Sequence, residues 1–487
     1  MATLQVSDLF IYRWRYKLSY VLIGLVCVFL LAVAALYVPG GLSEREVRAV
    51  ATTNDLSLMH FKPEMAINLP YYLTQKASFY VFGVSDFSIK LPTIITGVIM
   101  VIGLVLLLKT WFKRNVAILT AIIGITTSPF LLAAQSGTPG ILYMFWPIWL
   151  FYSASVISRR PSFPIFWKAL FFIILAQSLY TPLSIYIVIA LVSAAFLHPH
   201  LRQVLRTLSK LRIVITILIA CVLLIPLAYS LYLQPSLALT LLGIPASIDL
   251  LANLHLLFTQ YIDVLHPTNG IIMTPVYEVA SILLAVVGVY RIVTAKYTAR
   301  SYILACWLIL LIPVLIVNPQ LVNVTFLPFI LITGYGVEFL IRYWYRLFPR
   351  NPYARIVGLV PIVIFITTLT LSGIDRFVYG YLYSPSDTRA ASNDLSLITR
   401  ELKRSTKNEA TTLLVAKNEE AFYRAVGRYN PELNISNVTI HTPDSVTSTI
   451  VASHDALRTI AQPPTTILTS ATTDNADRFY IYKNTSK

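Results

Sequence analysis

Two carboxylates, those of Glu44 and Glu46, follow directly after the first long apolar run of the chain. A carboxylate at the boundary between lipid and water can act as a general base and deprotonate an acceptor hydroxyl. A structural interpretation stands beside this one. Ser43 and Glu46 have the spacing of a capping box, in which Ser43 caps a helix and Glu46 reaches back to the Ser43 backbone N–H.

The composition indicates that these carboxylates belong to a membrane protein. Of the 487 residues, 56% are hydrophobic and only 12% are charged, whereas soluble domains carry about 25% charged residues. This composition excludes a soluble enzyme, a disordered regulator and a disulfide-stabilised secreted domain. We therefore expect an integral multi-pass protein of the plasma (inner) membrane.

Long apolar runs predict an all-α polytopic membrane protein with about eleven transmembrane helices, because a bilayer core about 30 Å thick requires about 20 apolar residues per helix. The predicted spans are 18–38, 91–110, 116–134, 139–157, 165–179, 181–197, 211–233, 274–293, 301–318, 321–341 and 354–373. The fifth and sixth are short and share a turn-prone stretch at 177–182, so one kinked helix is the alternative.

Lys and Arg are concentrated in alternate loops of this arrangement. They precede the first span and follow the second, fourth, sixth, eighth and tenth, whereas the loops 135–140, 177–182, 234–273 and 318–323 contain neither. The positive-inside rule then places the N-terminus in the cytoplasm and the C-terminus outside. These loops also explain much of the net charge of +16, so the charge does not indicate nucleic-acid binding.

The chain divides into a transmembrane domain, 1–373, and a polar tail, 374–487. The first domain has a long outer loop at 39–90 and an amphipathic outer loop at 234–273, whose leucines at 250–257 suit a helix on the membrane surface. The tail is long enough for a small extracytoplasmic α/β domain. Its predicted strands are Thr411–Ala416, Asn437–Thr442, Thr465–Thr469 and Arg478–Lys483, and its predicted helices are Asp387–Arg404 and Glu419–Tyr429.

Three motifs in the first outer loop carry a family resemblance. They are His60-Phe61-Lys62-Pro63, Asn68-Leu69-Pro70-Tyr71-Tyr72 and Phe82-Gly83-Val84-Ser85-Asp86-Phe87-Ser88-Ile89-Lys90-Leu91-Pro92. They resemble the membrane (type C) glycosyltransferases, in the dolichyl-phosphate-mannose protein O-mannosyltransferase and aminoarabinose-transferase group. The last motif is the specific one, with Lys90 in place of the family's Arg. The resemblance is good over about 18–157, weaker to about 345, and absent in the tail.

The resemblance implies a glycosyltransferase of the cell envelope that moves a hexosyl or pentosyl group. The donor is a polyprenyl-phosphate-linked sugar held in the membrane, and the acceptor is a hydroxyl of a protein, lipid or glycan on the outer face, with inversion at the anomeric carbon. An acidic residue of the first outer loop is the base. By position Glu46 matches the Glu of the family's Asp-Glu pair, and Arg45 stands where the Asp would be. Glu46 acting alone, Glu44 acting as a substitute, and loss of activity all stay open.

The resemblance also suggests contacts with the donor phosphate and its lipid. Lys62 precedes a proline, as in the family's Lys-Pro-Pro element, and a cation there would stabilise the leaving phosphate. Lys76 is a second candidate, and interfacial snorkelling is the alternative for these lysines. Tyr71 and Tyr72 occupy the place of a family Tyr pair and are expected to line the lipid groove.

Four further polar residues are candidates for sugar or acceptor contacts. Gln135 and Thr138 lie between the third and fourth spans, where Pro139 replaces a family Asp; a simple turn is the alternative there. His255 and His266 lie on the amphipathic outer loop, where a solvated polar face is the alternative. No His-x-x-x-His or Asp-x-Asp spacing predicts a metal site, so we expect no cofactor beyond the donor substrate and leave a divalent metal open.

Two other functions remain as alternatives. Arg45 and Pro139, at positions where the family has acidic residues, motivate a related fold that has lost catalysis and serves as a lipid-binding or assembly subunit in envelope glycan synthesis. A transporter or channel would need buried charges or broken helices near the membrane midplane. The predicted spans offer few such charges.

Overall fold

The computed structural model describes residues 10–36, 41–57, 61–159, 163–207, 210–262, 275–294, 298–347, 352–383, 395–405, 411–441, 449–454, 456, 463–469 and 477–482. Up to Tyr383 the described regular structure is helical. The helices are α1 (Phe10–Leu36), α2 (Glu44–Asp55), α3 (Leu69–Phe82), α4 (Asp86–Trp111), α5 (Arg114–Thr126), α6 (Ser128–Gln135), α7 (Leu142–Ser158), α8 (Pro164–Ser178), α9 (Ser184–Leu197), α10 (Pro199–Thr207), α11 (Lys210–Leu233), α12 (Leu237–Leu241), α13 (Leu250–Ile262), α14 (Val279–Thr294), α15 (Ala299–Val317), α16 (Phe326–Leu347) and α17 (Pro352–Tyr383).

Seven helices among the described residues are long and apolar enough to cross a membrane, or up to nine if each bent pair counts as one span. The bent pairs are α5 with α6, at 58°, and α9 with α10, at 98°. Each of the eleven predicted spans coincides with a helix or a bent pair. However, α8 and α14 have only 15 and 16 residues, about 23 Å at 1.5 Å per residue. Eleven crossings and the orientation therefore stay predictions.

Helix α4 is central to the membrane part and packs against α1, α3, α5 and α7. Small residues allow another close pair, α14 and α16. A Cβ on Gly288 would lie 2.0 Å from the Ile332 carbonyl oxygen, and one on Gly336 would lie 2.2 Å from that of Leu284. Such contacts between small residues are typical of helices that pack inside a membrane, where backbones approach closely.

The amphipathic stretch of the second outer loop forms helix α13, as the leucine spacing predicts. Several of its apolar side chains are exposed, including Leu251 and Phe258 at 80% and 62%. Exposed apolar side chains on a short helix suit contact with lipid at the membrane surface. Contact with lipid therefore explains the amphipathic pattern of α13, and no packing against a soluble domain is needed to explain it.

The tail contains a five-stranded sheet with two helices, α18 (Leu395–Ser405) and α19 (Glu420–Tyr429). The strands are β1 (Thr411–Leu414), β2 (Ile435–Thr439), β3 (Thr449–Ser453), β4 (Thr466–Thr469) and β5 (Asp477–Tyr482), in the order β2-β1-β3-β5-β4. β1 pairs in parallel with β2 and β3, and β5 pairs antiparallel with β3 and β4. Four strands match the prediction within two or three residues, and β3 is an addition to it.

The tail domain and the first long loop, predicted at 39–90, share one apolar core. Leu42, Val47 and Val50 from the loop pack in the same buried cluster as Phe422 and Val426 of α19. The loop therefore lies between the membrane helices and the tail domain. This position fixes α2, the helix that carries Glu44 and Glu46.

Candidate functional site

Helix α2 begins with the capping box that the sequence predicts. The Glu46 backbone N–H donates to Ser43 Oγ at 3.3 Å, and the Ser43 backbone N–H and hydroxyl donate to Glu46 Oε2 at 2.8 and 2.9 Å. These bonds satisfy N–H groups that a helix N-terminus leaves without partners. The Glu46 side chain is only 4% exposed.

The second oxygen of Glu46 binds a distant part of the chain. The Gly137 backbone N–H donates to Glu46 Oε1 at 2.7 Å. Gly137 follows α6, in the turn that the sequence analysis treats as a separate candidate. A Cβ there would lie 2.4 Å from Ile89 Cγ2 and 3.0 Å from the Ile89 carbonyl oxygen, so only glycine fits without a shift. The structure therefore brings together the two places where the family resemblance expects acidic residues.

Gln75 on α3 is a buried polar residue at the same junction. Its amide nitrogen donates to the carbonyl oxygens of Ile89 and Gly137, both at 3.2 Å, and its amide oxygen accepts from Thr53 Oγ1 at 2.6 Å. The amide thus links α2, α4 and the turn after α6. Gln75 is not among the candidates predicted from the sequence. Its position four residues after Tyr71, on the same face of a helix, could have indicated that it lies at this junction.

The two adjacent tyrosines also lie at this junction. Tyr71 is 2% exposed and Tyr72 is half-buried, with their rings in a T-shaped contact at 5.7 Å. Burial raises the pKa of Tyr71 well above its ordinary value, and the charges of Tyr72 and Glu46 act in the same direction. Burial raises the pKa of Tyr72 to about 12. Both phenols are therefore protonated at neutral pH and available as hydrogen-bond donors.

The lysines of the first loop differ in their surroundings. Lys76 donates from Nζ to the Leu56 carbonyl oxygen and so ties α3 to the end of α2. Lys62 is exposed at the start of a 3₁₀ helix, Pro63–Ala66, and its side chain has no hydrogen bond or ion pair with the described residues. Lys90, which the sequence analysis treats only as a family substitution, is 3% exposed and directly follows Ile89.

The turn after α6 holds the remaining candidates of that region. Gln135 is buried at the end of α6, and the Thr138 hydroxyl lies 2.9 Å from Ser136 Oγ. Pro139 begins a 3₁₀ helix, Pro139–Ile141. These residues flank Gly137 in the chain, and of this turn the Gly137 N–H is the group bonded to the Glu46 carboxylate.

Other candidates lie away from this junction. Glu44 is exposed and forms an ion pair with Arg48 at 2.6 Å on the outer face of α2. Arg45 is also exposed. His255 is exposed on α13, which packs against α15. His266 lies outside the described residues. Within the described ranges, no group of three or more His, Cys, Asp or Glu side chains is placed to hold a metal ion.

The specific motif at 82–92 is the docking point of the tail domain. The Val84 N–H donates to Asn430 Oδ1 and Asn430 Nδ2 donates to the Val84 carbonyl oxygen, both at 2.7 Å. Gly83 has φ +67°, and a Cβ there would lie 2.1 Å from Asn430 Oδ1. Glycine adopts this left-handed conformation without steric cost. The motif thus holds the domain that packs on α2.

Comparison with solved structures defines the class of fold. The chain superimposes on ArnT from Cupriavidus metallidurans, solved bound to undecaprenyl phosphate, with a TM-score of 0.50 and 12% identity over 97% of this chain and 99% of that one. The Archaeoglobus fulgidus oligosaccharyltransferase in its apo form gives a TM-score of 0.50 and 10% identity over 91% of this chain and 70% of that one. The fold is that of the membrane glycosyltransferases.

A family model makes the assignment more specific. Residues 69–229 match the model described as dolichyl-phosphate-mannose-protein mannosyltransferase. This match confirms the resemblance from α3 through most of α11, which includes the motif at 82–92; it does not reach Glu46 or the motif at 60–63. The comparison with curated proteins found no match to this chain.

Proposed function

We propose that this protein transfers a sugar from a polyprenyl-phosphate donor to a hydroxyl acceptor on the outer face of the membrane, with inversion, and that Glu46 is the base. One observation carries the proposal. The Glu46 carboxylate, in the loop where the family resemblance expects the base, is held through both oxygens, by Ser43 and by Gly137 in the turn after α6. The Ser43 hydroxyl must leave Oε2 before that oxygen takes a proton, while the Ser43 and Gly137 N–H groups continue to hold the carboxylate in place.

In the proposed reaction the acceptor hydroxyl gives its proton to Glu46 and attacks the anomeric carbon from the side opposite the phosphate. A bond forms between the acceptor oxygen and the anomeric carbon, and the bond from that carbon to the phosphate oxygen breaks. The polyprenyl phosphate leaves with the electron pair. Ser43 is the more exposed partner of Glu46, so the acceptor approaches Oε2 and takes the place of the Ser43 hydroxyl there.

The donor is assigned to the same junction. ArnT was solved with undecaprenyl phosphate, and we extend a lipid of this class to the present chain. Lys62 is an exposed cation of the first loop, and Lys90 is a buried one next to Ile89. A cation near the leaving phosphate would stabilise its developing charge. Tyr71 and Tyr72, as neutral donors, would line the lipid path.

The tail domain completes this proposal. It packs on α2 and is bonded to Val84 through Asn430. We assign it to the outer side, where it would hold the first loop in place and bind part of the acceptor. The sugar and the acceptor are not specified by these contacts.

A second candidate function is a lipid-binding or assembly subunit without catalysis. It is favoured by the enclosure of Glu46, which receives three hydrogen bonds and is only 4% exposed. In that case the carboxylate would serve only to fasten the first loop to the turn after α6. Arg45, exposed beside it, could not replace the base.

Sugar transfer in membranes tests the two candidates. Membranes that contain the full chain are supplied with labelled polyprenyl-phosphate sugars, one hexose or pentose at a time, and compared with membranes that lack it. Transfer of the labelled sugar to a hydrophilic acceptor, with inverted configuration at the anomeric carbon of the product, supports the transferase function. Polyprenyl phosphate bound by the purified protein, with no transfer from any donor, supports the subunit. Retained configuration in the product would contradict the proposed mechanism.

A further inference from the structure

A cavity of about 1250 Å³ lies at the end of the membrane helices opposite Glu46. Its wall includes Thr110 and Trp111 at the end of α4, whereas the Glu46 junction contacts Ile89 near the start of the same helix. The 21 residues between Ile89 and Thr110 correspond to about 32 Å of α-helix. This length matches the hydrocarbon thickness of a bilayer, so the two sites face opposite surfaces.

The polar part of the cavity wall is strongly cationic. Six cationic side chains and one carboxylate line it. The cations are Lys113, Arg159, Lys168, Arg291, Arg300 and Arg342. The carboxylate, Glu338, forms an ion pair with Arg342 at 2.5 Å. An anionic group would therefore meet a large excess of positive charge here.

Two of the arginines are held in place by the end of α4. Arg159 and Arg300 both donate to the Thr110 carbonyl oxygen, and Arg300 donates also to that of Trp111. These are carbonyl groups that a helix C-terminus leaves without intrahelical partners, and they favour nearby cations. Lys168 is 5% exposed on α8. The cationic wall is thus built into the helix packing.

The rest of the wall is largely apolar. Phe171 and Leu175 of α8 line it together with Leu191 and the exposed side chains of Val192 and Phe196 of α9. Exposed apolar side chains on an apolar helix are suited to contact with acyl chains. The cavity therefore combines a cationic wall with an apolar wall on α8 and α9.

We propose that this cavity binds one anionic diacyl phospholipid from the adjacent leaflet. Its phosphate would lie among the cations and its acyl chains along the apolar wall of α8 and α9. Basic pockets between transmembrane helices on the cytoplasmic side recognise anionic lipid headgroups, and the positive-inside rule assigns this end to that side. A sugar donor is disfavoured as the occupant, because its phosphate would be about 32 Å of helix from Glu46. The proposal does not depend on sugar transfer.

Native mass spectrometry of the full chain, released from detergent with equimolar phosphatidylglycerol and phosphatidylcholine of identical acyl chains, tests the proposal. The wild type is expected to retain one molecule of phosphatidylglycerol in preference to phosphatidylcholine. The double variant Lys113→Gln with Arg291→Gln removes two lining cations. Each cation is expected to contribute about fivefold to the affinity for phosphatidylglycerol, so this affinity should fall about 25-fold. Lys113→Arg with Arg291→Lys keeps the charges and is expected to restore binding.

A matched control removes two cations from the same end that do not line the cavity. Arg206 and Arg346 are exposed in the last turns of α10 and α16, and Arg206→Gln with Arg346→Gln should leave binding within about twofold. The proposal would be overturned if the control variant lost as much affinity for phosphatidylglycerol as the Lys113→Gln, Arg291→Gln variant. It would also be overturned if the wild type retained the two lipids equally. Displacement of phosphatidylglycerol by a lower concentration of undecaprenyl phosphate would also overturn it, in favour of an isoprenoid lipid.

Discussion

Glu46 and Gly137, which are 91 residues apart, are joined by a hydrogen bond of 2.7 Å from the Gly137 N–H to Glu46 Oε1. The bond connects the first outer loop to the turn after α6. Ser43 holds the other carboxylate oxygen. One carboxylate therefore acts as a helix cap and as a link between α2 and the turn after α6, at the place where the proposed reaction needs its base.

The first prediction concerns Gly137. Gly137→Ala would place a methyl group 2.4 Å from Ile89 Cγ2 and 3.0 Å from the Ile89 carbonyl oxygen. The turn must move away from Glu46, which should lower the free energy of unfolding by about 1–3 kcal/mol. Thermal unfolding in detergent measures this. Gly24→Ala is the control, since its added Cβ meets no described atom within 4 Å; an equal effect of both variants would contradict the account.

The second prediction concerns the buried amide of Gln75. Gln75→Leu removes the partners of the Thr53 hydroxyl and of the Ile89 and Gly137 carbonyl oxygens. Each buried polar group without a partner costs about 1–3 kcal/mol, so unfolding should occur at a clearly lower denaturant concentration. Gln203→Leu, at an exposed position of α10, should have little effect. A Gln75→Leu protein as stable as the wild type would show that the amide is not a structural link.

The third prediction concerns the docking of the tail domain. Asn430→Ala removes both hydrogen bonds to Val84. The Val84 N–H then lacks its hydrogen-bond acceptor and the tail domain is held less firmly, so hydrogen exchange around Val84 should accelerate and proteolysis of the tail should increase. Asn437→Ala, at an exposed position of β2, should leave both unchanged. Unchanged exchange at Val84 in the Asn430→Ala protein would contradict the docking contact.

The fourth prediction concerns alkaline pH. Burial raises the pKa of Tyr72 to about 12, against an ordinary value of about 10. The folded state holds the proton more tightly, so the contribution of Tyr72 to stability is complete below pH 10 and is lost as the pH rises towards 12. Tyr72→Phe should make the decline in stability over this window shallower. Tyr232 is 83% exposed on α11, so Tyr232→Phe should not alter this decline. The same decline of stability with pH in Tyr72→Phe and the wild type would contradict the raised pKa of Tyr72.

Local patterns in the sequence were enough to predict many elements. Apolar runs predict a helix or bent pair at every proposed span, and Ser43 with Glu46 predicts the capping box because its bonds depend only on neighbouring residues. The number of crossings stays a prediction, since α8 and α14 are short. Glu338 and Arg342, four residues apart, form an ion pair for the same local reason.

Contacts between distant segments could not be predicted in this way. Nothing in the sequence around Glu46 or Gly137 indicates that they meet, because their distance depends on the packing of α4 against α3 and α6. Gln75 and Asn430 bind mainly backbone groups, those of Ile89, Gly137 and Val84. The side chains of these three residues do not indicate such hydrogen bonds in the sequence. Strand β3, a short segment of five residues, is recognisable only from its place between β1 and β5.

The measurement that tests the central claim most directly compares Glu46→Gln with Glu44→Gln in the sugar-transfer assay. Both variants remove one carboxylate from the first turn of α2, but Glu44 is exposed and paired with Arg48. The account predicts that Glu46→Gln lowers the transfer rate by about 10²–10⁴-fold, with the purified protein still folded, and that Glu44→Gln retains activity within about twofold. Full transfer activity in a folded Glu46→Gln protein would contradict the account.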